Sequence, residues 1–122
     1  MSTVFTEQTY LGDLLKYEEE SRYSRDVITI AAGQNLVQGT VLGMVNNKAV
    51  AFDPNATDGS ETVVGVLIYD VNALVDTESV MVSRNVLLSD RYVIWPAGIS
   101  TVQKATAMVA LNALSVVLRQ GA

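Results

Sequence analysis

The chain is 122 residues long, with 13 acidic and 8 basic side chains, no histidine, no cysteine and a formal net charge of −5. That length bounds one domain with a modest core, and the negative balance argues against a phosphate backbone as partner, because binding one needs clustered Lys and Arg. The absence of His and Cys removes the usual general base, the thiol nucleophile and the common transition-metal ligands.

Charge is unevenly spread along the chain. Residues 1–26 hold six acids and three bases, whereas residues 27–122 hold seven and five. Within the leader, TVFT (3–6) is β-prone, and YLGDLL (10–15) starts a helical turn that Gly12 weakens. Val4, Phe5, Tyr10, Leu11, Leu14, Leu15, Tyr17 and Tyr23 make it too apolar for a purely solvating tail. Residues 1–26 are therefore expected to be a flexible arm that orders on a partner, ahead of a domain over 27–122. MSTVFTEQTY has neither the basic start nor the apolar core of a secretory signal, and the longest apolar run, Val63–Tyr69, is far short of the ~18 residues of a membrane span. A product made in the cytoplasm, with no membrane partner, is expected.

The body opens with a strand at VITIA (27–31), a turn at AAGQ and a second strand at TVLGMV (40–45). NNK (46–48) is a turn, because Asn tolerates left-handed backbone, and it leads into AVAFD (49–53). DPNATDGS (53–60) is a loop by every turn criterion, with Asp58–Gly59 forming a turn in which Gly59 supplies positive φ. TVVGVLIYDVNAL (62–74) is a long β-rich run, and ESVMVSR (78–84) alternates Val80 and Val82 against Met81 and Ser83. NVLL (85–88) is extended, and Ser89 or Asp90 caps a turn in SDRYVIW. The pattern predicts a helix over 100–111 capped by Ser100 or Thr101, with Val102, Ala105, Met108 and Val109 on one face. A final strand follows over 114–119, after a break at Asn112. TVLGMV and TVVGVL share a glycine at the same place, which suggests a bulge or close backbone approach in each strand.

Few patterns point to bond-making chemistry. No GxSxG elbow or GxxxxGK[ST] phosphate loop occurs. Counted from Asp53 as a calcium loop, position six is Asp58 and position twelve is Val64 where Gly and Glu are needed, so the acidic loop reads as a solvated turn. No enzyme activity, cofactor, metal or small-molecule substrate is expected. Twelve charges over 96 residues leave much apolar surface, which predicts association with other copies. One alternative rests on AGQNLVQGTVLGMVNNKA (32–49), which resembles a lipoyl or biotinyl carrier hairpin with Lys48 at the tip as the modified residue. Against it, Asn46 and Asn47 stand where carriers have an acid or Met before the lysine.

A second resemblance is collinear over about residues 40–118. KAVAFDPNATDGSETVVGVL (48–67), DRYVIWPAGIS (90–100) and ALSVV (113–117) resemble, in order, three segments of the phage head decoration proteins, the lambda-like capsid-stabilising family. Asp53, Asp58, Gly59, Gly65, Trp95 and Pro96 carry the likeness. The family resemblance implies an α+β domain, predominantly β, with one short C-terminal helix and an extended N-terminal arm. It implies homotrimers on the outside of an expanded capsid, fastening major capsid protein subunits against the pressure of packaged DNA. On that resemblance Val4, Phe5, Tyr10, Leu11, Leu14, Leu15, Arg22, Tyr23 and Arg25 are the candidate capsid-binding residues of the arm. Trp95 would sit near a chain reversal fixed by Pro96, in the monomer core or at a trimer contact. An accessory of the tail or baseplate is a further alternative that composition leaves open.

Overall fold

The computed structural model describes residues 15–18 and 24–119. Ten strands and one long helix follow in chain order: β1 Leu15–Glu18, β2 Arg25–Ile30, β3 Asn35–Leu36, β4 Val41–Val45, β5 Lys48–Ala51, β6 Gly65–Leu67, β7 Val71–Asn72, β8 Thr77–Val82, β9 Val86–Ser89, α1 Thr101–Ala113 and β10 Val116–Arg119. A short 3₁₀ turn, Asp90–Tyr92, leads out of β9. The described residues are thus α+β and mostly β, with one long helix among them, near the C-terminus.

Strands β2, β5, β4, β6 and β8 close into a small barrel. The longest ladder in it is β2 against β8, from Arg25↔Val82 to Ile30↔Thr77, and closure rests on the single parallel pair Ile30↔Ala49. β3 and β7 form a two-stranded ribbon, and β1, β9 and β10 form a separate three-stranded sheet. In that sheet β1 runs antiparallel and β10 parallel to β9.

Two apolar clusters explain the patterning of the central strands. One gathers Ile28, Ile30, Leu42, Ala49, Leu67 and Met81 with the β3–β7 ribbon. The other joins Val41, Val66, Ile68 and Val82 to Val86, Leu88, Leu111 and Val116, and so ties the barrel to β9, β10 and α1. Neighbouring residues of one strand, Val41 and Leu42 or Met81 and Val82, enter opposite clusters. Strands covered on both faces read as continuous apolar runs. The alternation of Val80 and Val82 against Met81 is therefore between two cores, not between core and solvent.

The shared glycines mark close approach. A methyl group on Gly65 would lie 2.7 Å from Met81 Sδ and from the Val82 carbonyl, and one on Gly43 would lie 2.5 Å from the Ser60 carbonyl. The turn at Asn46–Asn47 has φ of 53° and 66°, joining Val45 to Lys48 in a two-residue hairpin. Both residues at positive φ is the geometry that matches the twist of paired strands.

Several expectations change. β2 begins at Arg25, two residues before the expected boundary, because Arg25 and Asp26 pair with Val82 and Met81 of β8. The run over 62–74 breaks into β6 and β7 at Asp70, whose carboxylate accepts the Gln38 amide. The buried face of α1 is Ala107 and Leu111, with Ala110 and Leu114 packed beside them. Val102 and Val109, expected inward, are 75% and 69% exposed. The helix carries two apolar stripes, and the one that docks is the one in line with Leu114 and Val116, where the chain must fold back onto β9. Ser115, at φ 63°, makes that reversal.

Candidate functional site

Of the expected arm residues, Val4, Phe5, Tyr10, Leu11, Leu14, Arg22 and Tyr23 lie outside the described residues. Leu15 belongs to β1 and packs, half-buried, against the second cluster. Arg25 belongs to β2. Next to it, the Asp26 carboxylate accepts hydrogen bonds from Ser83 Oγ and Arg84 Nη2, both at 2.6 Å. Partial burial pushes the Asp26 carboxyl up, but those two hydrogen bonds and the guanidinium charge outweigh it and hold the group below its ordinary value.

The Asp-Gly loop is a rigid latch. Asp53 accepts the Asn55 amide, and Asp58 accepts both the amide and the hydroxyl of Ser60 at 3.1 and 2.7 Å. The Ser60 hydroxyl is the main cause that holds the Asp58 carboxyl below the usual range. Gly59 has φ of 111°, and its amide donates to Glu61. The loop then ties to α1, since Gln103 Nε2 donates to Asn55 Oδ1 at 2.8 Å while Gln103 Oε1 accepts the Ser100 amide. Ser100 in return accepts the Gln103 amide, completing a reciprocal cap. With their acceptor capacity turned inward on turn amides, Asp53 and Asp58 shape the loop. Among the described residues, no three His, Cys, Asp or Glu side chains gather as a metal site.

Trp95 and Pro96 form the second feature. Ile94 bridges to the start of β4 by donating to Gly39 and accepting from Val41. This holds Trp95 half-buried against the second cluster, with Lys104 of α1 5.5 Å from its ring. Leu36, Val37, Phe52, Ile94, Trp95 and Pro96 line a shallow apolar cleft of about 260 Å³. The buried Trp95 Nε1 has no acceptor among the described residues. Lys48, the alternative carrier lysine, is ion-paired with Asp76 at 2.6 Å, and Asp76 also accepts the Ala32 amide. That pair closes the β2–β5 seam beside the hairpin. Sequence patterning did not single out Leu74 and Val75, which stand 84% and 69% exposed on the bend between β7 and β8. Their neighbours Val71 and Ala73 are buried, so an apolar run alone could not separate them.

The model of the family described as bacteriophage lambda head decoration protein D matches residues 4–116. The chain belongs to this family. No curated protein matches it. The matched span takes in most of the leader, the Asp-Gly loop, the Trp-Pro segment and α1, and it ends on the first residue of β10. Membership gives the chain a role in decorating a phage capsid, as a structural protein of the virion.

Proposed function

We propose that the chain assembles as homotrimers on the exterior of an expanded phage head and fastens neighbouring major capsid subunits against the pressure of packaged DNA. The observation that carries the proposal is the amount of apolar side chain left in water on a folded, low-charge domain. Leu74 and Val75 sit together at a tip, Val27 lies on the outer face of β2, and Val102 and Val109 lie on the outer face of α1. Exposed apolar surface on this scale marks interfaces, and a three-fold assembly needs two different patches per copy, because its contacts are head-to-tail.

The leader supplies the attachment to the shell. Since Leu15–Glu18 pairs with β9 and Arg25 opens β2, the reaching part is the segment ahead of β1, residues 1–14, with Val4, Phe5, Tyr10, Leu11 and Leu14 as its apolar contacts. Fourteen extended residues reach roughly 45 Å, enough to cross onto an adjoining subunit. Three such arms per trimer, each weak alone, act together through their high effective concentration. The chain is made in the host cytoplasm and needs neither cofactor nor substrate for this role.

Sedimentation velocity of the free protein, followed by co-sedimentation with emptied, expanded heads, tests the reading. A trimer that pellets with heads is expected, as is a chain lacking residues 2–14 that remains trimeric and stays in the supernatant. A monomer at micromolar concentration would remove the assembly, and undiminished binding of the shortened chain would remove the arm.

A further inference from the structure

Asp58–Gly59 is the one place in the chain where Asp or Asn precedes Gly. Glycine has no side chain to crowd the approach, so such a pair can close on itself in water. The Gly amide nitrogen, once it loses its proton, bonds to Cγ of the neutral Asp carboxyl, and a water molecule leaves. The product is a five-membered imide. Solvent water then reopens the ring at either carbonyl, and opening on the main-chain side gives isoaspartate, whose backbone runs through Cβ and Cγ and is one atom longer. One water leaves, one returns, and nothing is oxidised or reduced. Asp58 is exposed and Gly59 half-buried, so solvent reaches the pair.

Both reacting groups are held in their unreactive forms. The buried Ser60 donates its amide and its hydroxyl to the same oxygen of Asp58, at 3.1 and 2.7 Å. These bonds favour the carboxylate, and a carboxylate has no oxygen that can leave as water. The Gly59 amide donates to Glu61 Oε1 at 2.8 Å. Loss of that proton would set an amide anion against the Glu61 carboxylate, which like-charge repulsion opposes. The loop also lacks room for a longer backbone. A methyl group on Gly59 would lie 2.5 Å from the Met44 carbonyl, and one on Gly43 would lie 2.5–2.8 Å from three backbone atoms of Ser60. The Asp53 amide donates to the Ser60 carbonyl at 2.9 Å and the Thr62 amide to the Gly59 carbonyl at 3.2 Å, pinning both ends of the turn.

We propose that Asp58–Gly59 is a latent isomerisation site, and that Ser60 and Glu61 hold it inert in the folded chain by engaging the two groups that would react. The consequence is durability: the loop keeps its tie to Gln103, and so to α1, as the protein ages. The inference concerns the free chain and stands whether or not the shell-binding reading holds. It also gives the exposed Glu61 a role that packing does not, since its carboxylate guards a backbone nitrogen.

Ageing the full chain at neutral pH tests this, folded in buffer and unfolded in guanidinium chloride at the same temperature. Isoaspartate in peptides covering 53–62 is separated by chromatography and identified by electron-transfer fragmentation. It should form at least roughly tenfold more slowly in the folded chain, where reaction waits on local opening. Equal rates would overturn the proposal. Ser60→Ala removes the hydroxyl from Asp58, and Glu61→Gln keeps an acceptor for the Gly59 amide but removes its charge. Each folded variant should isomerise at least about threefold faster than the folded parent. Asn55→Ala cuts the tie to Gln103 but leaves the bonds of Ser60 and Glu61 in place, and should age like the parent. A parent-like rate in Ser60→Ala or Glu61→Gln would overturn the proposal, and a slower Glu61→Gln would make Glu61 a base that promotes the reaction. Asn55→Ala ageing as fast as Ser60→Ala would assign the protection to loop stiffness alone and would equally overturn it. If Ser60→Ala does not fold, Glu61→Gln and the comparison of folded with unfolded parent decide.

Discussion

Replacing Gly65 by alanine would set a methyl group 2.7 Å from two atoms, Met81 Sδ and the Val82 carbonyl oxygen. Ordinary contact begins near 3.4 Å, so each neighbour would have to retreat by about 0.7 Å. The sulfur ends a flexible side chain, but Met81 is buried among Leu42, Leu67 and Ile28 and has little room to move. The Val82 residue cannot move either, because β8 pairs with β6 at Val66↔Val82 and with β2 at Arg25↔Val82. Overpacking of this kind costs about 2–3 kcal/mol. Alanine would recover roughly 0.5–1 kcal/mol by lowering the entropy of the unfolded chain. The net expectation is a loss of about 1–2 kcal/mol, or roughly 4–8 °C in Tm at fixed protein concentration. Urea and thermal unfolding of Gly65→Ala, Met81→Ala and the double variant measure it. The double variant should regain part of the loss through a coupling of roughly 0.5–1 kcal/mol. It should not regain all of it, since the carbonyl contact remains. Gly65→Ala melting at or above the unaltered chain would refute the close-approach argument for this strand.

Other outcomes follow from the same packing and charges. Leu111→Ala, in the cluster that ties α1 to the barrel, should cost about 2–5 kcal/mol in urea titration, whereas Val109→Ala on the same helix should cost less than about 0.5 kcal/mol at concentrations where the chain is monomeric. Ser100→Ala should cost about 1 kcal/mol through loss of the reciprocal cap, visible as a lower Tm. Asp26 has its carboxyl held below the ordinary value of 3.8, so the stability it contributes is present above that value and is lost as pH falls through the lower folded-state value. Asp26→Asn should therefore lower Tm at neutral pH and flatten the fall in Tm below about pH 4. An acid limb unchanged by the substitution would contradict that assignment. Leu74→Asp combined with Val75→Asp should leave the melting of dilute protein within about 0.5 kcal/mol of the parent while shifting sedimentation from trimer toward monomer.

What could be read from the residues, and what could not, has physical causes. Asn46–Asn47, Asp58–Gly59 and Ser100 were legible because turn and cap chemistry is local: positive φ and a hydroxyl acceptor at an N-cap depend on a few adjacent residues. The strands around Gly43 and Gly65 were legible as strands, but their two-sided burial was not, because it requires knowing that a helix and a second sheet lie across the barrel. The docked face of α1 failed for the same reason. Val102 and Val109 are spaced as well as Ala107 and Leu114 for a helical stripe, and only the return of the chain into β10 selects between them. Asp26 read as the end of a charged stem, while its partners Ser83 and Arg84 lie 57 and 58 residues away. The Asp-Gly loop was placed correctly, yet its latch to Gln103 is a contact across 48 residues that no local pattern announces.

The central claim is that this chain decorates an expanded head in groups of three. Titrating purified protein onto emptied heads of the same phage, expanded and unexpanded, and counting bound copies per shell tests it most directly. Saturable binding to expanded heads alone, at a copy number that is a multiple of three, is the expected result. Equal binding to both forms, or none to either, would contradict it.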